Sequence, residues 1–399
     1  MTKLKFIFIS FIVLSLRAYS IATNMDNNII KNVNVKNTID IRDFGAIGNG
    51  VVNDVIAIQK ALIEGYIHNK TVIGHKNDIY FVDSQGLKEF MTSSVTNLAY
   101  CLEVPSGVTL DLCGATIRSN SDAVLISNKN SSTCTDTNIK ILNGTLDGSC
   151  CLLHEKPFIF FYGINELFLE NITVINTTHL VSTFTNITNS YFNNLIAKNI
   201  KGNCWQFGLP TEGQEVINSA FGNIYAYDVF PENEPIYLGA PFIGNLVNCK
   251  IELLKAENVG SGLKIQHGSS DVIIHKIILK TSNNENYNSS FKIQGTTNNF
   301  VKNIVIDTIL STYQIGSGLY IDMADNIKVN YYLGKNNSHD GAYPDIWLSG
   351  NNVNTLVSKK SGGCEIMFRP EINNYFYNQI IVDNFEKNSI SSHNYFRSK

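Results

Sequence analysis

The feature that most constrains this chain is a repeat. Four segments share one pattern: Ser261-Gly-Leu-Lys-Ile-Gln266, Ser289-Ser-Phe-Lys-Ile-Gln294, Ser317-Gly-Leu-Tyr-Ile-Asp322 and Pro344-Asp-Ile-Trp-Leu-Ser349. Aligning Lys264, Lys292, Tyr320 and Trp347 gives steps of 28, 28 and 27 residues, and Tyr237 in Ile236-Tyr-Leu238 sits another 27 upstream. A fixed period of this size marks a stack of units that bury their apolar faces only against their neighbours. A polar turn and a second short strand follow the first three segments, at Val272–Ile278, Val301–Ile306 and Ile327–Tyr332.

The units alternate apolar and polar residues, are separated by Asn, Gly and Ser, and leave no room for a crossover helix. A leucine-rich repeat needs a Leu-x-x-Leu-x-Leu consensus that is absent, and a propeller blade needs longer units with four strands. The pattern therefore predicts an all-β solenoid whose coils of two or three strands pair with the coil above, about 4.8 Å away. Asn138–Leu142, Leu167–Val174, Leu195–Ile200 and Ile224–Tyr227 fit earlier, looser turns of the same coil. Alternation assigns faces. Leu263/Ile265, Phe291/Ile293, Leu319/Ile321 and Ile346/Leu348 point inward; Lys264, Lys292, Tyr320 and Trp347 form one outward column, and Gln266, Gln294, Asp322 and Ser349 a second. One helix is predicted, Asp54–Ile63, capped by Asn53 or Asp54 and placed to close the first coil.

Composition narrows the setting. The 399 residues are 44% apolar and only 16% charged, with a formal net charge of −3, so no basic surface recommends nucleic acid or an anionic membrane. Lys3 and Lys5, the apolar run from Phe6 to Leu16, and Ala18-Tyr19-Ser20 read as an export signal over residues 1–20; an N-terminal anchor helix is the alternative. The expected organisation is that signal, a leader over 21–38, one β-helix domain over 39–385 and a tail over 386–399. The product is a secreted or extracytoplasmic protein with no other membrane segment, expected to be a monomer. Eight cysteines permit disulfides whose pairing spacing does not reveal, and none forms a Cys-x-x-Cys zinc motif. Asn-x-Ser/Thr sequons, among them Asn143, Asn171, Asn176 and Asn186, would matter only in a glycosylating host.

Asp43-Phe-Gly-Ala-Ile-Gly-Asn-Gly50, followed by Asn53-Asp54 and Ala57-Ile-Gln-Lys-Ala61, resembles the N-terminal signature of polygalacturonase-like and pectate-lyase-type β-helix proteins. Pro105–Leu112 resembles a first-coil strand of that superfamily, and Asn143-Gly-Thr-Leu-Asp-Gly148 its Gly-Thr-Ile-Asp-Gly motif. Lys156–Phe161, Leu167–Ile172 and Val174–Asn176 resemble the next coil of glycoside hydrolase family 28. The resemblance implies a single-stranded right-handed parallel β-helix, a pectin-lyase-like solenoid with a short N-terminal capping helix. It also implies a carbohydrate-active protein, polygalacturonase-like, that acts on pectin or another acidic polysaccharide; from the residues themselves no cofactor or metal is expected. The family's catalytic coils carry Asn-Thr-Asp, Asp-Asp, Gly-His-Gly and Arg-Ile-Lys. Here those coils fall on Asn203-Cys-Trp-Gln206, on Glu232–Leu238 with Glu234 in place of an aspartate, on Gly260-Ser-Gly262 with His267 nearby, and on Lys292-Ile-Gln294. The departure argues against an ordinary polygalacturonase.

Chemistry enters through the outward column. A polyuronide needs cations for its carboxylates and aromatic faces for its rings, and Lys264, Lys292, Tyr237, Tyr320 and Trp347 supply both, with Gln266, Gln294 and His267 beside them. The same residues also fit outer-face packing beneath a loop. Hydrolysis needs two carboxyl groups, for which Glu232, Glu234 and Asp322 are the outward candidates, with Asp325 and Asp228 behind them. Solvated turn residues are the plain alternative for each. Elimination needs a base at the uronate C5, and Lys292 or Lys264 serves if a neighbouring cation lowers its pKa. Three functions stay open: glycoside hydrolase, polysaccharide lyase, and a non-catalytic glycan-binding or structural β-helix. The expected partner in all three is an extended polysaccharide.

Overall fold

The structure is a computed structural model. It describes residues 37–92, 94–119, 122–149, 156–178, 180–230, 239–281, 291–314, 316–335, 337, 346–349, 356–359 and 366–369. The export signal and most of the leader lie outside the described residues, as do the C-terminal tail, Glu232, Glu234 and Tyr237.

Each coil makes three passes. The first builds what we call the ladder sheet, which in its later coils contains Trp205–Phe207, Phe242–Gly244, Lys264–Gln266, Phe291–Gln294, Leu319–Asp322, Ile346–Ser349 and Ile366–Arg369, all parallel neighbours. The second and third passes share one long strand bent at a corner, as in Asp136–Asp147, Tyr191–Ile200, Ala220–Val229, Lys250–Val259, Ser270–Thr281, Val301–Thr312 and Ala324–Lys335, and in Pro157–Ile175 the ladder pass runs into the same strand as well. The short strands expected from sequence are parts of these longer ones. Buried residues alternate on either side of the corner, as Val272/Ile274 and Ile277/Leu279 do, and pairing with the next coil resumes just past the bend. The arrangement is a parallel β-helix. Among the described strands the antiparallel exception is the hairpin Gly86–Met91/Val95–Val104.

Asparagine makes the corners possible. A sharp bend between two strands needs a residue with positive φ, and asparagine tolerates that region better than other residues with a side chain because its amide bonds locally. Asn143, Asn171 and Asn194 hold φ of 56°, 55° and 50° at successive turns between the second and third passes. Asn171 Nδ2 donates to Asn143 Oδ1 at 2.8 Å, and Asn194 Nδ2 donates to Asn171 Oδ1 at 2.8 Å. A second stack runs Asp147–Asn176–Asn199, and a third Asp271–Asn303–Asn326. The sequons at Asn143, Asn171 and Asn176 fall within these stacks. The amide nitrogen that glycosylation would consume is already a ladder donor there.

The core runs the length of the stack. Phe184, Phe192, Phe207, Phe221 and Phe242 are buried and packed ring against ring at centroid separations of 4.8–6.4 Å. Leu263, Ile265, Phe291, Ile293, Leu319, Ile321 and Ile346 point inward as expected. The helix α1, Val55–His68, extends beyond its expected end at Ile63 and buries Val55, Ala57, Ile58, Ala61, Leu62 and Gly65 against the first coil. Its N-terminal turn is tied by Asn53, whose Oδ1 accepts from Val55 N at 3.2 Å. The carboxylate of Asp54 instead accepts from Ile47 N at 2.7 Å and Gly48 N at 3.0 Å, so it clamps the glycine turn that precedes the helix. That explains why the Asp-Phe-Gly…Asn-Asp motif is a structural cap.

The asparagine stack is directly testable. Asn171→Ala removes one donated and one accepted bond and leaves an ordinary side chain at positive φ, a loss of about 2–4 kcal/mol in denaturant unfolding. Asn171→Gly keeps the backbone comfortable and is expected to lose less; equal losses for the two variants would contradict this account.

Candidate functional site

Along the ladder sheet, one residue per strand projects outward at the same level. Pairing is in register: Lys264 opposes Lys292, Lys292 opposes Tyr320, and Tyr320 opposes Trp347. Gln266, Gln294 and Asp322 oppose one another in the second outward column, and further along that edge the backbones of Ser349 and Arg369 pair. The sequence spacing thus becomes a physical line, each step one strand separation of about 4.8 Å.

The column is open only over part of its length. In earlier coils the outward positions are Phe160, Thr183, Gln206 and Ile243, of which Phe160, Thr183 and Ile243 are buried. The hairpin Gly86–Met91/Val95–Val104 covers the start, where Phe90 meets Phe160 edge-to-face at 5.1 Å. The coil before Lys264 also corrects one expectation. Ile243 opposes Lys264, occupying the place that the 27-residue step assigns to Tyr237. Coil length varies with the loop that closes each turn, and here the ladder strand lies 21 residues upstream, so constant spacing fails.

Electrostatics set Lys264 and Lys292 apart. Neither forms a hydrogen bond or ion pair with a carboxylate among the described residues, although both are half-buried. Burial lowers the Lys264 ammonium to about 8, with the charge of Lys292 one coil away acting in the same direction. Lys292 is lowered by burial. His267, at φ 50° in the turn after Gln266, is also lowered, by burial and then by Lys264. Three neighbouring bases held toward their neutral forms, with no carboxylate bonded to either lysine among the described residues, describe a place that an anion would stabilise.

The aromatic half continues the line. Tyr320 and Trp347 meet edge-to-face with centroids 5.4 Å apart, and Tyr320 Oη donates to Asp322 Oδ2 at 3.1 Å. That bond fixes the ring and places a carboxyl group beside it. Asp228 sits in a corner at φ 55° and accepts from Asn258 Nδ2 at 2.5 Å, a ladder role that explains its presence without catalysis. Asp325 lies in the strand Ala324–Lys335, in register with Lys302. Among the described residues no three His, Cys, Asp or Glu side chains are grouped to hold a metal ion.

Two further clusters escaped the sequence reading. His275 Nδ1 lies 2.5 Å from Asp307 Oδ2, with its Nε2 3.8 Å from Glu252 Oε2, at a corner on another face. Tyr225 and Tyr227 stack on the third pass, with Lys255 Nζ 5.7 Å from the Tyr227 ring centre. Only the register of successive coils brings Glu252, His275 and Asp307 into one line; their spacings of 23 and 32 residues show no regular period. Cys113, Cys134, Cys204 and Cys249 are free thiols, so the disulfides that the cysteine count permits do not involve them.

No protein-family model matches the chain, and no curated protein matches it. Solved structures do. The surface adhesin PfbA of Streptococcus pneumoniae is similar over 86% of this chain and 90% of its own, at 15% identity and a TM-score of 0.50. The tailspike of the E. coli bacteriophage HK620, in a double-mutant form, is similar over 89% of this chain and 67% of its own, at 10% identity and a TM-score of 0.58. A second double mutant of that tailspike, in complex with a pentasaccharide, gives a TM-score of 0.54. These similarities are of fold, and the fold they share is the right-handed β-helix.

The lysine pair has a measurable consequence for stability. Because the folded state holds Lys264 below its ordinary 10.5, it disfavours the ammonium fully below pH 8 and not at all above about 10.5. Lys264→Met is therefore expected to be more stable than the parent at pH 7, by on the order of 1–2 kcal/mol after solvent screening. The advantage should shrink as the pH rises from about 8 towards 10.5. A variant of unchanged or lower stability at pH 7 would contradict the account.

Proposed function

We propose that the Lys264–Lys292–Tyr320–Trp347 column binds an extended acidic polysaccharide, and that the chain is an exported carbohydrate-active protein. The observation that carries this reading is the in-register pair of half-buried lysines without a carboxylate partner among the described residues, continued by two aromatic rings. Two half-buried ammonium groups one strand apart, unpaired among the described residues, work against the fold; a ligand carboxylate placed between them turns that repulsion into attraction. Aromatic faces beside the cations suit the C–H faces of sugar rings. The pentasaccharide-bound tailspike gives the reading a precedent in fold, a β-helix that carries an oligosaccharide.

Of the reactions compatible with such a ligand, β-elimination is favoured by a specific feature. Lys264, lowered to about 8, has a substantial neutral fraction at mildly alkaline pH and can take the C5 proton, while Lys292 neutralises the uronate carboxylate. The C5–H electron pair then forms the C4–C5 double bond as the C4–O4 bond breaks, and O4 leaves with a proton from solvent. Glycoside hydrolysis, the activity suggested by resemblance to glycoside hydrolase family 28, needs two carboxyl groups. Asp322 is the one in register beside the column, and Glu232 and Glu234 lie outside the described residues.

Binding and chemistry are separable by experiment. Lys264→Met with Lys292→Met should weaken binding of a soluble polyuronate at least tenfold at low salt and leave neutral polymers unaffected; unchanged polyuronate binding would refute the groove. On a uronate polymer, elimination would generate the ultraviolet absorbance of an unsaturated product at a rate rising through pH 8. Reducing ends without that absorbance would assign hydrolysis. Binding with neither product would assign a glycan-binding module.

A further inference from the structure

We infer that the groove selects a heteropolysaccharide, in which an anionic sugar is followed along the chain by uncharged ones, over a homopolyuronate. The inference rests on the proposed binding of polysaccharide along this column and adds the charge pattern of the polymer.

The limits of the cationic stretch carry the argument. Among the described residues, the column has cations at Lys264 and Lys292, and it changes character at both ends. On one side the in-register residue is Ile243, buried, and the strand Phe242–Gly244 that contains it is buried throughout. On the other side the next two positions are Tyr320 and Trp347, whose rings offer stacking and no positive charge. Beside the lysines the second outward column presents the neutral amides Gln266 and Gln294, so among the described side chains the cations of this stretch belong to the first column alone.

A homopolyuronate carries a carboxylate on every sugar. Laid along this column, it would satisfy the two lysines and then bring further carboxylates over the aromatic pair. There they would lose water over two rings, at column positions that hold tyrosine and tryptophan where the preceding two hold lysine. A polymer whose anionic sugar is followed by uncharged rings avoids that conflict. It places its charge between Lys264 and Lys292 and its neutral rings against Tyr320 and Trp347. The column therefore has a polarity, with the anionic subsite toward the N-terminal coils and the neutral subsite toward the C-terminal ones.

The test compares oligosaccharides of equal length at one ionic strength by calorimetry: an alternating uronate–N-acetylhexosamine oligomer, an oligogalacturonate, and a neutral β-glucan oligomer. The full chain is expected to bind the alternating oligomer at least tenfold more tightly than the oligogalacturonate, and the neutral one most weakly. Tyr320→Lys, which extends the cations by one coil, should raise affinity for the oligogalacturonate and lower it for the alternating oligomer. Equal or tighter binding of the oligogalacturonate by the parent chain would overturn this inference and leave the acidic groove standing. Failure of all three to bind, or preference for the neutral oligomer, would overturn the groove itself and this inference with it. Should Tyr320→Lys fold poorly, the parent's ranking of the three oligomers decides alone.

Discussion

Everything in this molecule depends on coils stacking in strict register, and the register is held at the corners by asparagine amides. Parallel strands alone fix the separation of neighbouring coils but tolerate slippage along the strand. A stack such as Asn143–Asn171–Asn194 removes that freedom, because each amide must meet its neighbour's at one level. The same residues accept the positive φ that a sharp bend demands, so one residue type solves both the backbone and the alignment problem. The interior then follows: with register fixed, Phe184, Phe207 and Phe242 fall on successive strands of one sheet and pack as a continuous file.

The outward surface inherits that order. Residues 28 apart become neighbours at one strand separation, which is how Lys264 and Lys292 come to face the same way with their charges side by side. Packing alone does not explain their presence. The neighbouring outward position, Ile243, shows what this surface accepts when only burial is at stake. Two half-buried lysines passing without a break into tyrosine and tryptophan are a local inconsistency in this surface, and the proposed groove rests on it. The N-terminal hairpin sharpens the contrast. By covering Phe160 it leaves the first part of the ladder sheet closed and the later part available.

Other clusters show that register also generates groupings with no counterpart in the repeat. Glu252, His275 and Asp307 lie on three successive coils, and Tyr227 and Lys255 on two. Their sequence separations differ because loops of different length close the intervening turns. Asp228 shows the converse: as a lone acidic residue it is a candidate for chemistry, yet its corner position and its bond to Asn258 assign it to the ladder.

The sequence by itself determined the fold class, the coil period in the C-terminal half, the inward and outward faces and the helix that closes the first coil. Each of these follows from local alternation or from a motif repeated at constant spacing: Leu263/Ile265, Phe291/Ile293 and Leu319/Ile321 could be assigned inward by period two alone. Tertiary structure decided the rest. It replaced Tyr237 with Ile243 at the start of the column, because loop length shifts register in a way that spacing does not report. It gave Asp54 to the glycine turn instead of the helix, because a carboxylate bonds whichever amides lie nearest in space. The lysine column shows both contributions: its members were legible as a 28-residue echo, whereas the weakened basicity of Lys264 arises only when burial and the stacked charge of Lys292 act on it together.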